Sequence, residues 1–450
     1  MATPEITVRV LRRLLASGVT SRAERLLARV HPADLGPLFA DLTPEEIRTV
    51  VDLLFRQYRA GYTLRELPPD MLPQVFDAVS DERLAAVFGR LDIDDMLELA
   101  ERLPAERHDR ILALLPEEKR EELRKQELYP EGSAGRVMTP HFLAVDDKLT
   151  AQEAIDRIRA FGENSDAVLY VYVVDSEQRL EGVVPIRKLV SARPDRACGE
   201  IMIREPIATR LDADQEAVAA LVARYNLLAI PVVDAGRRMQ GVITVDDVID
   251  VIHEEATEDI YHLAGLHEED RVFTSPAASV RKRLPWMMLN LGTAFLAASV
   301  VGLFERTIEQ LVALAVFLPV VAGMGGNGGI QALTVVTRSI ALGEIEFSSG
   351  LRAVGKELLV GTVIGLAAGL VAAGVGWLWQ GNPWFGLVLA LAMLATLAGA
   401  GLAGAAVPVL LKALRQDPAL GSGVIVTTLT DVFGFASFLG IATLLLGRLT

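Results

Sequence analysis

The sequence predicts a multidomain membrane protein: an all-α helical region at the N-terminus, an α/β region built on an internal repeat, and a five-helix transmembrane region at the C-terminus. Three observations carry this. Charge is divided unevenly along the chain. Residues 280–450 hold 10 Lys+Arg and 7 Asp+Glu, a net of +3, whereas residues 1–279 hold 34 and 51, a net of −17. The C-terminal part also contains 25 of the 37 glycines, three long uncharged stretches and a fourth with a single charge. Residues 130–255 repeat themselves at an offset of 59. At 51% hydrophobic the chain is too apolar for disorder. Its acidic balance excludes a nucleic-acid partner, which would demand a basic face to displace counterions. A lone cysteine, Cys198, permits no intrachain disulfide and fits a reducing compartment.

The helical region covers residues 1–129. Its opening stretch, MATPEITVRVLRRLLASGV, lacks the long apolar core and cleavage site of a secretory signal and reads as a short amphipathic helix. Farther on, Leu91-Asp, Leu103-Pro-Ala-Glu and Leu115-Pro-Glu-Glu recur every 12 residues. Proline at a helix start and acids in its first turn satisfy the N-terminal geometry and dipole, so each repeat marks a helix beginning. Asp92, Asp94, Asp95 and Glu98 make a dense acidic cluster on one of these helices.

The α/β region covers residues 130–255. Val173-Val174-Asp175 recurs as Val232-Val233-Asp234, and Gly182-Val-Val-Pro-Ile recurs as Gly241-Val-Ile-Thr-Val. Met138-Thr139-Pro140 and Met202 each introduce an extended run and then a helical run, Ala151 to Ala160 and Gln215 to Tyr225. Each copy therefore reads strand, helix, strand, glycine turn, strand, helix. This resembles a tandem pair of CBS domains, a module that often binds adenine nucleotides between its copies. The Gly-h-x-Thr/Ser-x-x-Asp run that grips ribose in that family is matched by Gly241, Thr244 and Asp247. Copy one has Pro185 and Lys188 at the corresponding places. Nucleotide binding and a purely structural dimerisation role both stay open on these residues.

An acidic run follows: Asp246, Asp247, Asp250, Glu254, Glu255, Glu258 and Asp259. At helical spacing Asp247, Asp250, Glu254 and Glu258 form a carboxylate stripe, in which like charges repel. A solvated face is the ordinary reading of such a run. Here it leads through a linker helix, residues 256–279, into the first apolar stretch. A divalent cation bridging the stripe to Asp94 and Asp95 would couple ion level to the position of a membrane helix.

The transmembrane region covers residues 280–450. Leu284–Phe304, Gln310–Thr337 and Leu358–Leu411 are uncharged over 21, 28 and 54 residues, and Pro418–Gly447 over 30 except for Asp431. A span takes about 20 apolar residues. The longest stretch is interrupted by Gln380-Gly381-Asn382-Pro383, a turn signal, so five spans result. Arg281, Lys282, Arg283, Arg338, Arg352, Lys356, Lys412 and Arg415 fall on one side, and only Arg306 and Arg448 on the other. The basic side faces the cytoplasm. The N-terminal half is thus expected in the cytoplasm of a cell whose inner (plasma) membrane holds the spans, with the C-terminus outside.

Asp431 stands near the middle of the fifth span. A carboxylate there costs at least a few kcal/mol unless it faces a cavity or an ion path. Thr427 and Phe435 lie four residues before and after it on one helical face, and Thr428 lies three before it. Hydroxyls and a carboxylate make an oxygen surface suited to a hard cation. In the second span, Pro319–Gln331 packs five glycines into seven residues, Gly323 to Gly329, which predicts a broken helix. Broken helices at membrane depth line cavities or are buried in protein, and free carbonyls near Gly325 and the side chain of Asn327 then become candidate ion ligands. Close packing through small residues is the alternative. Gly323-x-Gly325-x-x-Gly328 also fits a dinucleotide fingerprint, but inside an apolar span and without a βαβ unit that match carries nothing. The six histidines, His31, His108, His141, His253, His262 and His267, form no zinc or triad pattern, so an enzyme is not expected.

The order of acidic helical domain, repeated α/β pair, linker helix and five spans resembles the MgtE family of magnesium channels over nearly the whole chain. The most specific stretches are Gly323–Gln331, Ala256-Thr257-Glu258-Asp259-Ile260, Asp417-Pro418-Ala419 and Thr427–Gly434. The resemblance implies a homodimer in a lipid membrane whose second and fifth spans line a pore, with Asp431 holding hydrated Mg2+. It implies cytoplasmic Mg2+ as a regulatory ligand of the acidic residues, Asp417 included, closing the pore, and ATP at the CBS pair in some members, with Tyr170 and Arg187 matching that site. The chain departs from the family pattern at Asn226 and near Tyr62, where acids are common, at Lys188, and at Gly423-Val424, where some relatives carry Asn-Pro. An ion-coupled divalent cation transporter or exporter, and a membrane-anchored nucleotide sensor without transport, are the competing readings.

Overall fold

The computed structural model describes residues 4–17, 20–39, 42–69, 71–161, 169–266, 275–345, 347–414 and 416–449. His267, Arg415 and residues 267–274 of the expected linker lie outside them. The chain divides into two compact units, Met1–Ile252 and His253–Thr450.

The first unit opens with short helices. The 12-residue repeat becomes three of them, Ile93–Glu101, Ala105–Ala113 and Glu117–Glu127, each starting two residues after a buried leucine. Pro104 and Pro116 occupy the N-cap positions, where a missing N–H costs nothing. Acids sit in every first turn, against the positive ends of the helix dipoles. Phe39, Phe76 and Phe88 are almost fully buried in a core of leucines and valines.

The repeat folds into two small sheets. In the first, β1 (Ala144–Asp146) runs parallel to β2 (Tyr170–Val174), which pairs antiparallel with β3 (Leu180–Pro185) and through it β4 (Ile203–Arg204). In the second, β5 (Thr209–Arg210) is parallel to β6 (Ala229–Val233), and β6 is antiparallel to β7 (Met239–Thr244). The offset of 59 is visible in the register: Val173 faces Gly182 and Val232 faces Gly241, each with an irregularity at the next residue. The repeated aspartates build the hairpins. Asp175 Oδ1 accepts from the amides of Glu177 and Arg179, and Asp234 Oδ1 from those of Gly236 and Arg238, all at 2.8 Å. Glycine is required at both repeat positions because a Cβ would fall 2.4 Å from the Met202 sulfur at Gly182 and 2.6 Å from the Thr139 carbonyl oxygen at Gly241.

The expected linker, residues 256–279, is continuous with the helix before it, as a carboxylate stripe from Asp247 to Glu258 at helical spacing requires. A single helix, Val245–Leu263, starts on the last strand of the repeat and carries the whole acidic run. It ends before Gly265, whose φ of +69° breaks the helix. No proline or glycine interrupts residues 245–263, and β-branched and acidic residues alternate around it without a turn signal, so nothing local would have ended it at 255.

The second unit holds five long apolar helices: span 1 (Pro276–Gly302), span 2 (Ala313–Ala341), span 3 (Phe347–Gln380), span 4 (Pro383–Ala413) and span 5 (Ser422–Leu444). Span 4 is the centre. Its most apolar window is 56% buried, against 6% for span 1. Span 3 lies against it through Gly361, Gly365 and Gly369. Added Cβ atoms at these three would sit 2.3 Å, 3.0 Å and 2.8 Å from the backbone of Leu397, Leu394 and Ala390. Small residues one turn apart let the two backbones approach, which is how helices gain packing energy where the hydrophobic effect no longer drives them together.

Span 2 contradicts the expected break. The helix runs uninterrupted through Gly323–Gly329. Three of its five glycines serve packing: Cβ atoms at Gly325, Gly328 and Gly329 would meet Thr396, Leu397 and Val426 at 2.7–2.8 Å, whereas one at Gly323 or Gly326 would meet nothing within 4 Å. Low helix propensity, measured in water, is overridden where a peptide group has no partner but its own helix.

Candidate cation sites

In the second unit a cavity of about 300 Å³ opens beside Asp431. Span 5 supplies Gly423, Val424, Thr427, Thr428 and Asp431, span 1 supplies Asn290, Thr293 and Ala294, span 2 supplies Ile330, and Leu263 and Ala264 close one side. Thr427, Thr428 and Asp431 thus share the surface that their spacing predicts. Among the described residues no ion pair to Asp431 is formed. Two expected ligands are not brought to this cavity. Gly325 is buried inside the continuous span 2 facing Thr396, and Asn327, exposed one turn before the cavity-lining Ile330, is not itself among the lining residues. With the helix unbroken, the carbonyls there are spent on helical hydrogen bonds.

The mouth of this cavity is tightly packed. The Leu263 carbonyl oxygen lies where a Cβ on Gly423 would be 2.4 Å away. Trp286 of span 1 wedges between two glycines of positive φ, Gly265 (+69°) and Gly421 (+65°), so close that a Cβ at either would strike its indole. Nearby, His262 Nδ1 is 3.0 Å from Asp417 Oδ2, and its Nε2 is 3.6 Å from Glu258 Oε1. Burial, and after it the neighbouring Asp417 and Glu255 charges, push the Asp259 carboxyl above the usual carboxylate range, with His262 opposing. Asp417, Glu255, Glu258 and Asp259 are therefore one acidic group, with an imidazole among them that residue spacing did not reveal.

In the first unit a second cavity, about 250 Å³, brings together Asp94 and Asp95 with Asp246 and Asp247. All four stand in first helical turns, of Ile93–Glu101 and Val245–Leu263. Asp92, Glu66, Arg65, Tyr62, Thr139 and Thr244 complete the wall with His31, Pro32 and Leu169. Burial raises Asp94 well above its ordinary range, and Asp247, Asp95 and Asp92 add to it in that order. Its Oδ1 and the Thr139 hydroxyl are buried without a hydrogen-bond partner among the described residues. Asp247 is pushed up to about 6, by burial first, against a hydrogen bond from Thr244, and then by Asp246 and Asp95. Arg65 Nη1 is 2.9 Å from Asp95 Oδ1, a resident cation that no sequence motif marks. Among the described residues no three His, Cys, Asp or Glu side chains are set to close directly on one metal ion. The cavity has carboxylate charge and room, which suits an ion that keeps its own water.

The remaining expected residues fall elsewhere. Glu98 pairs with Arg102 at 2.9 Å and is outside the cavity. Asp250 and Glu254 are exposed on the helix Val245–Leu263. Tyr170 begins β2, its hydroxyl accepting from the Leu228 amide at 3.4 Å, and Arg187 is exposed in the helix Ile186–Ser191. Thr244 does not wait open for a ribose: its hydroxyl donates to Asp247 at 2.6 Å and contacts Asp246.

Five spans around a carboxylate-bearing cavity, joined to an acidic domain and a CBS pair, define a multi-pass membrane transport protein with an intracellular N-terminal domain. Family models agree along the chain. The MgtE intracellular N domain matches residues 30–132, CBS domains match 134–195 and 198–254, and the MgtE divalent cation transporter domain matches 318–441. The magnesium transporter MgtE of Thermus thermophilus is 35% identical over 444 residues, covering 97% of this chain and 98% of that protein. The magnesium transporter MgtE of Bacillus subtilis is 30% identical over 443 residues, 98% of each chain. A crystal structure of the cytosolic domain of the Mg2+ channel MgtE with ATP aligns at 33% identity and a TM-score of 0.51, covering 54% of this chain and 99% of that one. The soluble part of a magnesium transporter aligns at 25% identity and 0.53, covering 56% and 99%. The chain belongs to the MgtE family of magnesium transporters, which are not enzymes.

Proposed function

We propose that the protein is a Mg2+-selective channel for influx, working as a homodimer in the inner (plasma) membrane, with its N-terminus cytoplasmic and its C-terminus outside. The observation that carries this reading is Asp431, a carboxylate on span 5 facing a cavity whose mouth is covered by the end of the helix Val245–Leu263. Mg2+ gives up water reluctantly, so a pore holds it through a few outer-shell oxygens rather than a full set of protein ligands. One carboxylate per subunit attracts the ion without trapping it.

Cytoplasmic Mg2+ is proposed to bind the carboxylates around Asp94, Asp95 and Asp247 and those around Glu258, Asp259 and Asp417. Neutralising their mutual repulsion favours the arrangement in which Leu263 lies on Gly423, and the channel closes on its own cargo. The single helix that carries Asp247 at its start and Leu263 at its end supports this link. ATP is proposed as a modulator at Tyr170 and Arg187, by analogy with the related cytosolic domain crystallised with it.

The decisive experiment is Mg2+ uptake by Asp431→Asn in a transport-deficient strain, with assembly followed by cross-linking. Uptake is expected to fall sharply while the dimer persists. Normal uptake would sink the assignment of the ion site, and a monomer in the wild type would sink the dimer.

A further inference from the structure

Span 1 turns one polar face inward. Asn290 and Thr293 are half-buried and Ala297 is buried, at helical spacings, while Leu289, Leu291, Phe295 and Leu296 around them are 49–69% exposed. That face meets Asp431 across the cavity.

The hydroxyls lining this cavity have their protons engaged by the backbone. Thr293 donates to the Asn290 carbonyl at 2.9 Å, Thr427 to the Gly423 and Val424 carbonyls at 3.0 and 3.1 Å, and Thr428 to Val424 at 2.7 Å. Each Oγ1 is left with lone pairs, and the Asn290 carboxamide oxygen is an acceptor of the same kind. The water shell of a dication points hydrogens outward, so what it seeks from a wall is acceptors. Six waters occupy roughly 180 Å³ at the density of the liquid, and the cavity measures about 300 Å³.

We propose that span 1 forms part of the ion path, and that Asn290 and Thr293 accept hydrogen bonds from the water shell of the Mg2+ held at Asp431. This inference rests on the reading of Asp431 as the ion site and extends it to a helix and two residues outside spans 2 and 5. The two residues set affinity and the preference for an ion that keeps its shell. Ca2+, which exchanges shell waters for direct ligands and has a larger, looser geometry, gains less from them.

The test is flux through the full-length protein in liposomes, with Mg2+ and Ca2+ varied separately, for Asn290→Leu, Asn290→Gln, Thr293→Val and Asp431→Asn. Phe295→Leu, on the outward face of the same helix, is the control. Losing one hydrogen bond to the ion's water shell is expected to raise the half-saturating Mg2+ about tenfold in Asn290→Leu, which is ~1.4 kcal/mol. Thr293→Val is expected to raise it in the same direction. Maximal flux should stay close to wild type, the Mg2+ over Ca2+ ratio should fall, and Asn290→Gln should restore most of the affinity. A purely structural role would lower maximal flux instead. If Asn290→Leu and Thr293→Val keep the wild-type half-saturation while Asp431→Asn abolishes flux, the proposal is overturned and the Asp431 site stands. If Asp431→Asn conducts normally, the site reading fails and the proposal with it. Thr293→Val is nearly isosteric, so it decides the matter should Asn290→Leu fail to assemble.

Discussion

Gly423→Ala isolates the contact by which the channel is proposed to close. A methyl group there would sit 2.4 Å from the Leu263 carbonyl oxygen, whereas ordinary contact begins near 3.4 Å. The obstacle is backbone, so no side-chain rotation relieves it, and Leu263 must withdraw by about 1 Å. Overpacking of this kind costs ~1–3 kcal/mol. Only the arrangement with Leu263 on Gly423 bears that cost, so the equilibrium moves toward opening by roughly 5–150-fold. The assay is Mg2+ or Mn2+ flux, or single-channel recording, with Mg2+ on the cytoplasmic face varied. The half-inhibiting Mg2+ is expected to rise at least fivefold, with conduction at low Mg2+ preserved. Gly440→Ala, in the same span with nothing within 4 Å of its new methyl, should behave as wild type. An unchanged inhibition curve for Gly423→Ala would refute the idea that closure depends on this contact.

Two further outcomes concern the acidic cavity of the first unit. Arg65→Met removes the partner of Asp95, whose side chain is only 11% exposed. Without divalent ions the variant is expected to lose about 2–3 kcal/mol in thermal unfolding, less than a fully buried broken pair because Arg65 is itself 20% exposed. Millimolar Mg2+ should restore most of it, and an unfolding curve that overlays the wild type in chelator would show that Arg65 does not act as the resident cation. Asp247 is raised from an ordinary 3.8 to about 6, so the native state binds its proton more tightly than the unfolded chain does. The stability this contributes is full below pH 3.8 and is lost as pH rises through about 6. In chelator, the melting temperature is therefore expected to fall between pH 5 and 7.5, with Asp94 adding in the same direction. Asp247→Asn should flatten that slope and be the more stable form at pH 7.5 by up to ~3 kcal/mol. Equal pH dependence in both proteins would contradict the placement of Asp247 in a crowded, buried acidic site.

Much of the architecture was readable from local pattern. The 12-residue repeat of leucine and acids, with proline in two of its three copies, named three helix starts because proline and acid act on the helix they begin. The 59-residue offset named the two sheets because identical hairpin aspartates make identical turns. The glycine run of span 2 does not break its helix because propensity is a statement about water, and this helix sits where only its own carbonyls can receive its amides. Asn290, Thr293, Arg65 and His262 were missed for a different reason. Each gains meaning only from a partner far away in sequence, such as Asp417, which lies 155 residues from His262. A polar pair inside an uncharged stretch was the one signal on offer for Asn290 and Thr293.

The sequence by itself determined the number of spans, the CBS repeat, the family and the isolated carboxylate at 431. All of these depend on composition or on residues a few positions apart, and the free energies behind them, transfer into lipid and helix-end capping, are local. Only the tertiary structure decided which oxygens surround Asp431, that Arg65 and Thr139 share the cavity of Asp94, Asp95 and Asp247, and that Leu263 rests on Gly423. Those are meetings between distant segments. Their energies come from packing at contact distance and from burial of charge, and neither can be evaluated until the chain has been folded.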